Sequence, residues 1–131
     1  MTWPDLDGMT AADVMHRHLT TLSPHATVAE LRAYFAASGS RRLALIVDDG
    51  TYVGSIEASS LPPGADDASP VGDYATRPRT ISPDAPATDA RDQGIDERSR
   101  RLPVVDGAGK LVGIVAITRT LDGFCGATGE D

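Results

Sequence analysis

Aliphatic and β-branched residues gather in four short runs, arranged as two pairs. Leu43–Val47 and Tyr52–Ile56 flank Asp48-Asp49-Gly50, and Leu102–Val105 and Leu111–Ile117 flank Asp106-Gly107-Ala108-Gly109. Apolar runs around Asp/Gly turn residues predict two β-hairpins. The runs are nearly continuous rather than alternating, which predicts strands buried on both faces. Ahead of the first hairpin, Val28, Leu31 and Phe35 recur at helical spacing, and Thr27-Val28-Ala29-Glu30 has the pattern of a capping box. Ahead of the second, Ala87, Ala90, Gly94 and Ile95 form a thinner stripe, with Pro86 in place of the threonine cap. Leu19–Leu22 and Arg79–Ile81 each run into Ser-Pro, which predicts a short strand ending there. A short helix is expected to close each set, and Pro62-Pro63-Gly64 cuts the first one off.

The two sets are copies. At an offset of 59, Thr21-Leu22-Ser23-Pro24-His25-Ala26 falls on Thr80-Ile81-Ser82-Pro83-Asp84-Ala85, and Ser40-Arg41-Arg42-Leu43 falls on Ser99-Arg100-Arg101-Leu102. Gly50, Val53 and Gly54 fall on Gly109, Val112 and Gly113, giving 12 identities in 37 ungapped positions. A tandem duplication follows. The unit reads β-α-β-β-α, twice, in the α/β (α+β) class. The organisation expected is an N-terminal arm (1–9), a first motif (10–63), a linker (64–70), a second motif (71–124) and a tail (125–131). Neither half has a sufficient core alone, so each is expected to bury its sheet against the other.

Composition narrows the function. The chain has 131 residues, a net charge of −7 and one cysteine, Cys125. The acidic balance repels a phosphate backbone and argues against DNA binding. A lone cysteine builds no disulfide framework, and an inert thiol is expected there. Met1–Asp7 has neither the basic nor the apolar region of a signal peptide, and no apolar run reaches the ~20 residues of a membrane helix. A cytoplasmic protein without membrane contact is expected.

Chemistry-bearing residues are sparse. His16 and His18 stand two apart beside Asp13, a spacing that does not bring helical side chains together on a metal. His25 follows Ser23-Pro24 as a surface turn residue. Ser59-Ser60 lacks the Gly-x-Ser-x-Gly context of a nucleophile, and Gly107-Ala108-Gly109 opens no helix and so is no phosphate loop. No acid–base pair stands at recognisable spacing, so no enzyme is expected. Trp3 and Pro4 either pack the N-terminal arm on a partner or lie unordered.

Arg101-Leu102-Pro103-Val104-Val105-Asp106, followed by Gly109-Lys110-Leu111-Val112-Gly113-Ile114-Val115, resembles the central signature of the cystathionine-β-synthase (CBS) domain. Asp13-Val14-Met15, then Thr21-Leu22-Ser23-Pro24 and the Val-Ala-Glu-Leu helix, resembles that family's opening. The resemblance implies two motifs packed about a pseudo-twofold axis in a free-standing pair. It also implies a regulatory module that binds an adenosine-type ligand (AMP, ADP, ATP or S-adenosylmethionine), forms a homodimer and signals to an unidentified partner protein.

Residue by residue, the family places Thr21-Leu22 and Thr80-Ile81 beside the adenine. It places Arg42 and Arg101 near a phosphate, ahead of Leu102-Pro103 in the second copy. The aspartate that grips the ribose is replaced by Ser60 in the first copy and Arg119 in the second. Serine keeps one ribose hydrogen bond, whereas arginine has no acceptor and favours a phosphate. With Thr118 and Arg119 at the start of a closing helix, the second site would take an anionic nucleotide through Arg101, Thr118 and Arg119. In the bland reading these arginines are solvated or pair with Asp96, Glu97 and Asp106. The alternative function is a ligand-free dimeric interaction scaffold with decayed sites. It is motivated by the missing aspartates, by Pro86 and Gly94 in the second helix, and by the Pro62-Pro63 break.

Overall fold

In the computed structural model, described over residues 3, 5–17, 19–38, 41–77, 79–121, 123 and 124, helices and short sheets alternate along the chain. The order is α1 (Ala11–Val14), β1 (Thr21–Leu22), α2 (Val28–Ala36), β2 (Leu43–Asp48), β3 (Thr51–Glu57), α3 (Ala87–Asp96), β4 (Arg101–Val105) and β5 (Leu111–Ala116). Single 3-10 turns lie at Ala58–Ser60 and Val71–Asp73. The chain divides into an inner unit, Thr20–Pro78, and an outer unit made of Met1–Leu19 together with Arg79–Asp131. This is an α+β architecture.

In the inner unit β1 runs parallel to β2, which pairs antiparallel with β3 across the Asp49-Gly50 turn. Both turn residues have positive φ, 51° and 81°, as a tight hairpin requires. Thr27 caps α2 by accepting the Glu30 N–H at 3.2 Å. The helix lays Leu31 on Ala44, Ile46, Ile56 and Val71, the core of this unit. In the outer unit β4 pairs antiparallel with β5, and β1's counterpart shrinks to a single parallel bridge, Ile81 to Val104. Ala11, Ile81, Ala90, Leu102, Val104, Val115 and Ile117 form its core. The alternate strand residues, among them Leu43, Leu45, Pro103 and Ala116, are buried too, as the continuous apolar runs predicted.

The closing helices expected from sequence are not formed among the described residues. After β3 the chain makes only the 3-10 turn Ala58–Ser60 before Pro62-Pro63. After β5 it turns at Thr118–Leu121 and comes back to bridge Phe124 to Ile117. Leu121 has φ 63°, a left-handed conformation that no right-handed helix admits.

Residues read as a linker are bound into the inner unit. Arg32 pairs with Asp67 at 2.9 Å and donates to the Pro63 and Ala65 carbonyls. Val28 N–H donates to Ser69 and Ala29 N–H to Asp67, so this segment accepts the first orphan donors of α2. The outer unit repeats the device with the N-terminal segment. Ala87 N–H, the first donor of α3, reaches the Met9 carbonyl at 2.9 Å. The donor that a threonine cap would take, the Asp89 N–H, goes instead to the Pro86 carbonyl at 3.0 Å.

The parallel extends further. Val71 and Gly72 N–H donate to Ala26 and Pro24, as Ala11 and Ala12 N–H donate to Ala85 and Pro83. Thr76 exchanges both backbone hydrogen bonds with Ser55, as His16 does with Ile114. Segments 9–17 and 69–77 are thus equivalent at an offset of 60, each lying across one hairpin. Asp13/Asp73 and Arg17/Arg77 are their identical residues.

This crossing explains two glycines. A Cβ at Gly54 would lie 2.5 Å from the Thr76 carbonyl oxygen, and one at Gly113 would lie 2.7 Å from that of His16. Gly94 serves a different contact, because a Cβ there would meet Ile117 Cγ1 at 2.9 Å and hold α3 off the sheet. Gly54→Ala and Gly113→Ala are expected to lower stability by about 1–3 kcal/mol each, the usual range for overpacking. Gly107→Ala, with open space around it, is the neutral control in the same chemical-denaturation series. Gly94→Ala is expected to destabilise although alanine favours helices by about 1 kcal/mol. Coupling Gly94→Ala with Ile117→Ala, which removes both Cγ1 and Cδ1, in a double-mutant cycle should recover part of that loss, and additive effects would disprove the contact.

Candidate functional site

The residues expected to bind a ligand gather at one end of each hairpin. In the inner unit Thr21 stands exposed opposite Leu45, and Leu22 lies half-buried opposite Ile46. Because β1 runs parallel to β2, its leading residue lies toward the end where Arg42 precedes β2. There the Arg42 carbonyl accepts the Ala58 N–H at 3.0 Å, which brings Arg42 beside the turn that ends at Ser60. Ser60 is exposed, and Arg42 is half-buried. The Arg42 Nε is buried with no hydrogen-bond acceptor among the described residues. Its neighbour Arg41 is tied down: its Nη1 donates to the Tyr34 carbonyl at 2.8 Å, and its guanidinium lies 4.3 Å over the Tyr34 ring.

The outer unit places the matching set differently. Thr80 is exposed, while Ile81 is buried and exchanges backbone hydrogen bonds with Pro103 and Val105 at 3.0 Å each. Leu102 is buried in the core, and Pro103 is also fully buried. Arg101, at the start of β4 opposite Ala116, is only 5% exposed. Its Nη1 donates to the Arg100 carbonyl at 3.3 Å and to the Ile117 carbonyl at 3.5 Å. Arg100, at φ 56°, adds its Nε to the same Ile117 carbonyl at 3.3 Å. Two guanidinium groups therefore converge on one peptide oxygen.

Thr118 and Arg119 follow directly. The expected helix start is corrected here to a backbone turn: Thr118 N–H donates to Gly123, and Leu121 N–H donates to Thr118. A helix N-terminus that would favour an anion is therefore missing from this site among the described residues. Arg119 itself is exposed on the turn. Of the acidic candidates for pairing, Asp96 faces Arg79 at 3.8 Å. Asp106 accepts the Ala108 and Lys110 N–H groups of its own turn, and the Glu97 carbonyl takes the Arg100 N–H.

A polar set in the inner unit went unread in the sequence. Tyr52 pairs with Val47 and Ser55 with Leu45, which places both on the face of β3 that carries Leu45. Both hydroxyls are buried without a well-formed hydrogen bond. Burial pushes the Tyr52 phenol above its usual range, and Ser55 and Arg77 beside it offset part of that rise. Arg77 lies 5.9 Å from the Tyr52 ring. At the offset of 59 these positions are Leu111 and Ile114, so the signal was a polar pair set against an apolar one. His16 is buried against Ile114, and His18 and Cys125 lie outside the described residues. No cluster of three metal-ligating side chains occurs among the described residues.

The family model for the CBS domain matches residues 11–61 and 71–122. Among solved structures, CBSX2 from Arabidopsis thaliana, a CBS-pair protein, superposes with a TM-score of 0.72 at 23% identity, over 88% of this chain and 89% of that one. CBSX2 in complex with AMP gives 0.72 at 26% identity, over 87% and 92%. The cytosolic domain of the Mg2+ channel MgtE in complex with ATP gives 0.68 at 23% identity, over 82% and 45%. Among curated protein sequences none matches significantly. Two family matches, one on each repeat and together spanning most of the chain, make this protein a member of the CBS domain family with its domain in tandem.

Proposed function

We propose that this CBS pair is a regulatory module that binds an adenosine-type nucleotide and conveys the binding to a partner protein. The observation that carries the reading is made in each unit by itself: Thr21-Leu22, Arg42 and Ser60 lie toward one end of the first hairpin, and Thr80-Ile81, Arg101, Thr118 and Arg119 toward the corresponding end of the second. CBSX2 in its AMP complex, similar over nearly the whole chain, supports the ligand class. Neither copy has a carboxylate where the family grips ribose, so recognition shifts to the phosphates. Arg119 is the exposed cation for that task. Arg101, bonded to the Arg100 and Ile117 carbonyls, shapes the turn from which Arg119 projects. The role is regulatory rather than catalytic. A homodimer working in the cytoplasm is part of the same proposal.

A second reading is a ligand-free dimeric scaffold, favoured by the burial of Arg101 on backbone carbonyls. Native mass spectrometry of freshly purified protein separates the two, because a retained nucleotide contradicts the scaffold.

Thermal-shift titration with AMP, ADP, ATP, S-adenosylmethionine and NAD is the direct test. At about 100-fold the Kd, a true ligand stabilises by about 2.7 kcal/mol, a rise on the order of 5 °C or more. Arg119→Ala is expected to weaken a phosphate-bearing ligand about tenfold while leaving the unliganded Tm in place. Arg101→Ala is expected to lower the unliganded Tm as well as the affinity. Silence from all five ligands overturns the proposal.

A further inference from the structure

We propose that Trp3 is a positioning residue: it holds the Thr118–Leu121 turn, and with it Arg119, in place for the anionic end of the ligand. The proposal rests on the nucleotide reading above and gives a ligand role to a residue that the sequence left between packing and disorder.

The turn has an anchor at each end. It contains two short backbone bonds, Thr118 N–H to Gly123 and Leu121 N–H to Thr118, both 2.9 Å. Leu121 buries little, being 42% exposed, and adopts φ 63°. A left-handed leucine costs roughly 1–2 kcal/mol, so the turn needs anchoring at its ends. The leading end has its anchor, since the Ile117 carbonyl takes Arg100 and Arg101 while the Ile117 N–H binds the Arg100 carbonyl.

The returning end is anchored by Phe124. It forms an antiparallel bridge to Ile117 and packs on the core of the outer unit. Its ring meets Trp3 edge-on, with centroids 5.1 Å apart and planes at 72°. Such a pair is worth about 0.5–1.5 kcal/mol beyond the area it buries. Trp3 packs on the same core from the opposite end of the chain. Trp3, ambiguous as sequence, is thereby given a contact. Arg119, the exposed cation, stands between two anchors, and Trp3 secures the second.

The test uses the full chain and the variants Trp3→Ala, Trp3→Phe and Arg119→Ala. Amide hydrogen exchange at Thr118 and Leu121 is expected to quicken about tenfold in Trp3→Ala and to stay near the parent value in Trp3→Phe. ATP affinity is expected to fall about fivefold in Trp3→Ala and to be restored by Trp3→Phe. Trp3 is the only tryptophan. Its fluorescence is therefore expected to respond to ATP in the parent, with the midpoint moved to about tenfold higher ATP in Arg119→Ala, a readout that a purely structural contact would not produce. Unchanged exchange in Trp3→Ala overturns the anchoring. Quickened exchange with unchanged ATP affinity overturns the positioning role. If the parent binds no nucleotide, the functional reading and the ligand role of Trp3 fall together, while exchange still decides whether Trp3 holds the turn.

Discussion

Everything in this fold depends on how closely one backbone runs over another. In each repeat a segment from the region preceding the other repeat lies across the last strand and exchanges two hydrogen bonds with it, Thr76 with Ser55 and His16 with Ile114. The approach leaves no space for a Cβ on the strand residue one position before, so Gly54 and Gly113 are fixed by sterics. A side chain there would cost the crossing, and the crossing supplies the backbone acceptors for the first turns of α2 and α3. Helix start, strand edge and glycine are one constraint.

That constraint also decides which residues make a unit. The crossing segment of the outer unit, 9–17, precedes the whole inner unit in sequence, so the outer unit draws on both ends of the chain. The inner unit is continuous, because its crossing segment, 69–77, follows its own hairpin. A sequence repeat and a structural unit are therefore different objects here. Contiguous repeats describe the duplication, while the compact units describe which residues bury one another's apolar surface.

Much of this was legible. The hairpins and α2 were readable because apolar runs, Asp-Gly turns and a Thr-to-Glu cap are local signals, independent of distant contacts. The crossing segments were not, because only Asp13/Asp73 and Arg17/Arg77 survive between them, and one residue fewer separates Arg77 from Thr80 than Arg17 from Thr21. That slip breaks an ungapped comparison. Pro86 and Gly94 looked like decay because residue types alone show neither the Pro86 carbonyl taking the Asp89 N–H in place of a cap nor the bulk of Ile117 against Gly94. The closing helices were expected as the last element of the repeated unit. Leu121 in the left-handed region and Pro62-Pro63 stop them. For the candidate residues, their place beside the strands was readable but not their orientation. An arginine ahead of a strand reads as a surface cation, and nothing local announces that Arg101 is buried on two carbonyls.

The duplicated positions have diverged in what they leave for a ligand. An arginine presents five N–H donors, and burying it without acceptors is costly. In the outer unit Arg101 meets that demand with the Arg100 and Ile117 carbonyls, so an anion there would compete with bonds already made. In the inner unit the Arg42 Nε is buried with no acceptor among the described residues, so an anion would satisfy a donor rather than displace one. The face of β3 carries the same contrast, Tyr52 and Ser55 against Leu111 and Ile114. Under the proposed reading the two copies would offer unequal sites: in the inner one an anion would give the buried Arg42 Nε a partner, while in the outer one recognition would fall on Arg119 and on whatever holds its turn.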